Sequence, residues 1–284
     1  MGPNTKTRTL GKTESTLLRR LAEEQRTTLS ARQDRALLRS VTPAPSSLLS
    51  RMAGKGVLIP LGSGRYVVSS WAGDSLAQAA PFNVLLDATL REYGRYYLGF
   101  LSAVIEHRLT DEDSWMVYVA LPDDTTFRGN RLVIDQRPVL TTRISGAHRW
   151  VGMEKIRATR REYYWRSTLE RTLVDTVYRP KLSGGIELIV GAWARSQERD
   201  VDLDAVCDYA RAVSGAVSRR VGYLLTRLGH QDVAVKHLGD LRGQRNKVLL
   251  DASSTYGEGS WPREREWGVA VNVPEHALAG WLRQ

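Results

Sequence analysis

Apolar residues recur with helical spacing near the start of the chain. In residues 12–26, Leu17, Leu18, Leu21 and Ala22 fall on one face of a run rich in helix formers. Ser30-Ala31-Arg32-Gln33 has the S-x-x-Q form of a capping box. It predicts a second short helix to about Ser40, with Ala36, Leu37 and Val41 turned inward. Thr42-Pro43 reads as an N-cap followed by Pro at the first helical position, which predicts a third helix over 43–54. Leu48, Leu49 and Met52 take its core side, and Gly54 is its stop. Val57-Leu58-Ile59-Pro60-Leu61, the loop Gly62-Ser63-Gly64, and Arg65-Tyr66-Val67-Val68 predict a hairpin whose loop admits positive φ. Pro60 belongs where its missing N–H is not needed.

Beyond this head, residues 71–81 are rich in small residues and read as a connector. A helix is expected over 82–94, with Leu85, Leu86, Thr89 and Leu90 on one side. Another is expected over Tyr96–Glu106, nearly all apolar and therefore buried. Strands are expected at 115–121, 131–135 and 138–144, and around 155–159. Helices follow at about 168–178, 185–196, 203–213 and 216–228, then strands at 248–250 and 267–272. The pattern contains no internal repeat. The fold class is therefore α+β. Three short helices and a hairpin are the plan of a winged helix-turn-helix, and a mixed α/β body follows. The expected domains are residues 1–70, the connector 71–81, and 82–284, the last divisible into 82–165 and 166–284.

Composition narrows the function. The 284 residues are 42% apolar, the fraction of a folded globular protein. One cysteine forbids an intramolecular disulfide and any Cys-based zinc cage. No stretch reaches the roughly 20 apolar residues of a membrane span. Residues 1–6 lack the apolar core of a signal peptide, so a cytoplasmic protein without a membrane partner is expected. The net charge of +10 is unevenly spread. Residues 1–80 carry 12 Lys+Arg against 5 Asp+Glu, and residues 128–181 carry 13 against 5. Residues 81–127 reverse the balance, with 3 against 8. Basic blocks attract polyanions, because neutralising phosphates releases counterions.

The winged-helix plan gives that attraction a place. Its third helix enters the major groove. The outward residues of that helix are Ser46, Ser47, Ser50 and Arg51, with Lys55 just beyond, and the wing offers Ser63 and Arg65 to the phosphate backbone. Small hydroxyl side chains let the helix sit deep, and Arg51 can reach a guanine edge or a phosphate. A helical domain with a hairpin that binds protein would share the plan. A second basic segment, residues 154–166, interleaves cations with aromatics: Arg157, Arg160, Arg161 and Arg166 beside Tyr163, Tyr164 and Trp165. It fits phosphate contacts or a ridge for an acidic partner, and an ordinary amphipathic strand and turn fits as well.

Catalytic patterns are sparse. The sequence has no G-x-G-x-x-G, Walker loop, H-E-x-x-H or G-x-S-x-G. His107, His148, His230, His237 and His276 show no metal-ligand spacing, and His230 and His237 are expected to flank a loop. Cys207 lies on the apolar side of its helix, as a core residue does. Asp200, Asp202 and Asp204 alternate just before a helix, where acidic residues complement the positive dipole end, although a metal site is conceivable. Glu106-His107 fits an acid–base pair or simply a helix end. Gly184-Gly185 after Pro180 marks a tight connection between helices. A non-enzyme with no cofactor, metal or catalytic residue is expected.

Several segments, taken in order, resemble the AbiEi antitoxin family of type IV (abortive infection) toxin–antitoxin systems. Gly56-Val57-Leu58-Ile59-Pro60 to Gly64-Arg65-Tyr66 is similar to the family's wing. Tyr96-Tyr97-Leu98-Gly99-Phe100-Leu101-Ser102-Ala103 runs on through Glu106-His107-Arg108-Leu109, where the family more usually has Gly than Arg108. Glu170-Arg171-Thr172-Leu173-Val174-Asp175, Arg179-Pro180 and Gly184-Gly185-Ile186 resemble an E-[KR]-T-[LI]-x-D … P … G-G-[IV] run. Arg220-Val221-Gly222-Tyr223-Leu224-Leu225, Leu250-Asp251, and Trp267-Gly268-Val269 to Asn272 complete the series. The match spans about residues 10–272 and is weakest over 28–45. The resemblance implies a winged head that binds inverted repeats in its own promoter. It also implies a C-terminal domain that neutralises a nucleotidyltransferase-like toxin, directly or only functionally. A stand-alone winged-helix regulator whose C-terminal domain senses a ligand or partner is the second reading.

Overall fold

A computed structural model describes residues 9–62, 64–69, 80–146, 149–253, 261, 263–273 and 278. The elements run α1 (Lys12–Glu23), β1 (Thr28–Ser30), α2 (Arg35–Val41), α3 (Pro45–Gly54), β2 (Leu58–Gly62), β3 (Arg65–Val68), α4 (Phe82–Leu90), β4 (Tyr97–Leu98), α5 (Phe100–Glu106), β5 (Val117–Pro122), β6 (Arg131–Ile134), β7 (Arg137–Ile144), β8 (Met153–Arg157), β9 (Tyr163–Ser167) and α6 (Leu169–Tyr178). Then come α7 (Ile186–Ser196), α8 (Leu203–Val213), α9 (Gly215–Arg227), α10 (Gln231–Leu238), β10 (Val248–Leu249) and β11 (Val269–Ala270). The class is α+β. Among the described residues, no helix is long and apolar enough to cross a membrane.

The chain divides into two compact units. The first holds Met1–Tyr93 together with Lys155–Tyr164, and the second holds Gly94–Glu154 and Trp165–Gln284. These boundaries differ from the expected ones. Helix α4 and the outer part of the β8–β9 hairpin belong with the head rather than with the body. Most of the expected connector lies outside the described residues.

In the first unit the apolar stripes of three helices close on one core. Leu17, Leu18 and Leu21 of α1, Leu38 of α2, and Leu48, Leu49 and Met52 of α3 meet Leu29, Val57, Leu58 and Val68. Strand order β1-β3-β2 makes a three-stranded antiparallel sheet, with Thr28 opposite Val67 and Leu58 opposite Val68. Pro60 lies on the edge strand β2, as its missing donor requires. Two expected helix starts are corrected. Ser30 ends β1 instead of opening a helix. Its Oγ accepts the Gln33 amide at 3.3 Å within a turn, and α2 begins at Arg35. That shift turns Leu38 inward and leaves Ala36 exposed. Helix α3 begins at Pro45, not Pro43, and Thr42 Oγ1 accepts the Ala44 amide at 3.2 Å.

The second unit carries most of a six-stranded sheet ordered β6-β7-β5-β4-β9-β8. Strands β5 and β7 pair in parallel from Val117–Val139 to Pro122–Ile144, and β6 closes the edge antiparallel to β7. Residues 96–98, expected as the start of a helix, enter this sheet as β4, and the helix starts only after Gly99. Helices α6 to α10 pack around Leu173, Val177, Trp193, Val206, Ala210, Leu224 and Trp267. Helix α10 replaces the loop expected between His230 and His237.

Just past the C-cap of helix α5 stands Arg108, the position where the sequence resemblance leads one to expect Gly. Leu109 N–H donates to the Val104 carbonyl at 3.0 Å and Arg108 N–H to Ile105 at 2.9 Å, with Arg108 at φ 56°. This is a left-handed helix terminus, where glycine carries no Cβ penalty. Arginine adopts that conformation at a cost of about 1 kcal/mol.

Candidate nucleic-acid interface

The side of α3 opposite the core carries Ser46, Ser47, Ser50 and Arg51, all exposed. One buried carboxylate organises the basic end of this surface. Glu14, in the first turn of α1, is 1% exposed and accepts the Gly11 amide at 2.8 Å. It also accepts Arg51 Nε at 3.0 Å and Lys55 Nζ at 2.7 Å. Burial acts to raise the Glu14 carboxyl. The hydrogen bonds from Lys55, Gly11 and Arg51 outweigh it and hold the group below its ordinary value. Arg51 uses only Nε in this pair, and its side chain remains 53% exposed. Its two terminal nitrogens, the fork that recognises phosphate or guanine, have no partner among the described residues. Lys55 is more withdrawn, because Nζ also donates to the Thr9 carbonyl at 3.1 Å.

Arg65 does not behave as a free wing residue. Its Nη2 is engaged by Glu92, just past α4, and donates to the Ala88 carbonyl at 3.4 Å. Ser63 lies outside the described residues.

The second basic segment separates into three kinds of residue. Lys155, Arg157 and Arg160 are exposed, and Lys155 Nζ and Arg157 Cζ lie 4.7 and 5.6 Å from the centre of the Tyr163 ring. Arg161 pairs with Glu24 at 3.3 Å. Arg166 was expected on the same ridge. It is instead only 15% exposed, held by Glu154 at 2.7 Å and Glu106 at 3.4 Å within the second unit. Glu162 is 8% exposed, and sequence reasoning gave it no role. It accepts the Thr27 amide at 3.1 Å, the Thr27 hydroxyl at 2.7 Å and the Thr159 hydroxyl at 2.9 Å. A cavity of about 350 Å³ borders this contact, lined by Arg26, Asp34, Tyr66, Asp87, Lys155 and Tyr163 among others.

The remaining chemical candidates have the following surroundings. Glu106 and His107 turn to different partners: Glu106 to Arg166, and His107 through Nε2–H to the Ser167 carbonyl at 2.9 Å. Asp202 caps α8 by accepting the Ala205 amide at 3.0 Å. Asp204 accepts Lys236 at 3.3 Å and lies 2.9 Å from His237 Nε2. Cys207 is fully buried, and burial pushes its thiol up to about 12. Gly184 and Gly185, both near φ 88°, form the tight turn into α7. His148 and His276 lie outside the described residues. Among the described residues, no group of three or more His, Cys, Asp or Glu is placed to hold a metal.

No family model matches the sequence, and no curated protein matches it. Among solved structures, the chain is similar to the crystal structure of the RV2827C protein from Mycobacterium tuberculosis. The TM-score is 0.66 at 17% identity, over 99% of this chain and 97% of that one. At this identity the likeness speaks for the fold alone.

Proposed function

We propose that the chain is a DNA-binding autorepressor and antitoxin: a winged helix-turn-helix head binds inverted repeats in its own promoter. The remaining chain would neutralise a nucleotidyltransferase-like toxin. The observation that carries the DNA reading is the outer face of α3. Three serines and Arg51 lie exposed on the third helix of an α-β-α-α-β-β unit, and the buried Glu14 steadies the Arg51 stem. A side chain held by its Nε, with its fork still open, loses less entropy when it meets a phosphate or a guanine. The antitoxin half of the reading rests on the sequence resemblance.

Arg51→Ala is expected to weaken binding to a duplex from the chain's own promoter about tenfold, read by fluorescence anisotropy at fixed salt. An unchanged Kd would reject α3 as the contact. The same variant, co-expressed with a neighbouring nucleotidyltransferase-like gene, should still protect the cell, because its body is intact. Loss of protection together with loss of DNA binding would mean that the two roles share one surface.

A further inference from the structure

The first unit borrows ten residues, Lys155–Tyr164, from far along the chain. Four of them are cationic and one is a carboxylate. That carboxylate, Glu162, turns inward to Thr27 and Thr159, and Arg161 is engaged by Glu24. Lys155, Arg157 and Arg160 remain exposed, without a carboxylate partner among the described residues. The turn itself is closed by Ala158 and Thr159 amides donating to the Glu162 carbonyl at 2.9 and 3.2 Å.

We propose that this hairpin tip is a second contact for the phosphates of duplex DNA, and that Glu162 is the positioning residue that fixes it to the head through Thr27. The inference rests on the DNA-binding reading above and adds to it a different element and a specific clasp. Cations on a free loop lose backbone as well as side-chain freedom when a polyanion binds, whereas on a clamped hairpin the backbone share is already lost. Lys155 and Arg157 on β8 and Arg160 in the turn that follows put three exposed cations on one hairpin, which suits the repeating charge of a phosphate backbone and carries no base-reading geometry. Their contribution is therefore to affinity for any duplex, while sequence choice stays with α3.

The test uses the full-length chain, titrated with its promoter duplex and with an unrelated duplex over a range of salt concentrations. The variant Lys155→Ala/Arg157→Ala/Arg160→Ala should raise Kd about tenfold or more for both duplexes. It should also flatten the salt dependence by about 0.9 for each phosphate that is no longer neutralised. Glu162→Ala separates position from charge, because it makes the chain more cationic. A loose arm acting by charge alone would then bind DNA more tightly, whereas a positioned arm binds more weakly. Thr27→Val removes the hydroxyl of the clasp without changing any charge and should also weaken binding. It serves if the Glu162 variant fails to fold by circular dichroism. Wild-type Kd and salt slope in the triple variant would overturn the hairpin's role. Tighter binding by Glu162→Ala, or unchanged binding by Thr27→Val, would overturn the clasp. A wild-type chain that binds no duplex would overturn both this inference and the DNA-binding reading. A triple variant that binds DNA normally but no longer meets an acidic protein partner would reassign the tip to that partner.

Discussion

Arg171→Met should cost the fold about 3–5 kcal/mol in urea unfolding, out of a total on the order of 5–15 kcal/mol. Arg171 and Asp175 are both fully buried, one turn apart on α6. Nε of Arg171 donates to Asp175 at 2.9 Å, and its other nitrogens donate to the Tyr97 hydroxyl at 3.1 Å and the Arg149 carbonyl at 2.7 Å. Tyr97 in turn donates to Asp175 at 3.0 Å. Burial pushes the Asp175 carboxyl up and the guanidinium down. The neighbouring Asp175 and Tyr97 oxygens reverse the effect on Arg171, which stays charged. Removing the arginine strands a buried carboxylate and takes the donor from the Arg149 and Val151 carbonyls, and the loss exceeds the net worth of the pair. Replacing both members by apolar residues of similar size should recover much of the loss. A single variant within 1 kcal/mol of the wild type would show that the network carries no weight.

Gly222→Ala should cost about 3 kcal/mol, the upper end for overpacking. A Cβ at this position on α9 would lie 2.5–2.8 Å from the six-membered ring of Trp267. The ring cannot retreat easily. Trp267 is fully buried, its Nε1 donates to Thr226 at 3.0 Å, and its carbonyl accepts Arg219 Nε at 2.6 Å. Thermal unfolding reads the effect, and an unchanged midpoint would mean that α9 shifts freely. Both sites give a physical content to the motifs that resemble the antitoxin family. The E-R-T-L-V-D run builds the buried ion pair, and R-V-G-Y-L-L meets W-G-V where glycine lets a tryptophan close down. At both places these side chains make packing and ion-pair contacts within the second unit.

What the sequence made legible was local. The 3.6-residue rhythm placed Leu17, Leu18, Leu21, Leu48, Leu49 and Met52 in the core, and the same rhythm put Ser46, Ser47, Ser50 and Arg51 outside. Residues 203–213 are helical as read, because Asp202 supplies the cap and Val206, Cys207, Ala210 and Val213 the stripe. Misreadings arose where a distant strand decided the matter. Ser30 pairs opposite Arg65 and so cannot start a helix, and Tyr97 pairs with Ala120 inside an apolar run whose period fits helix or strand equally. The fates of Arg65 and Lys55 depend on Glu92 and Glu14, carboxylates 27 and 41 positions away. Glu162 finds Thr27 across 135 positions. No window along the chain contains such pairs. The only local signal at Glu14 is a glutamate at the third helical position after Gly11, half of a capping box because glycine has no side chain to return the bond.

The most direct test of α3 as the DNA-reading element exploits the cysteine count. Cys207 is buried with a raised pKa, so a single Ser47→Cys variant can be labelled selectively with an iron–EDTA cleavage reagent. If α3 lies in the major groove, the labelled Ser47→Cys protein on its promoter duplex cuts at a discrete cluster of positions within each repeat, and the same variant without the label does not. Cleavage that is diffuse, or no greater than that of the unlabelled variant, would contradict the placement of the interface.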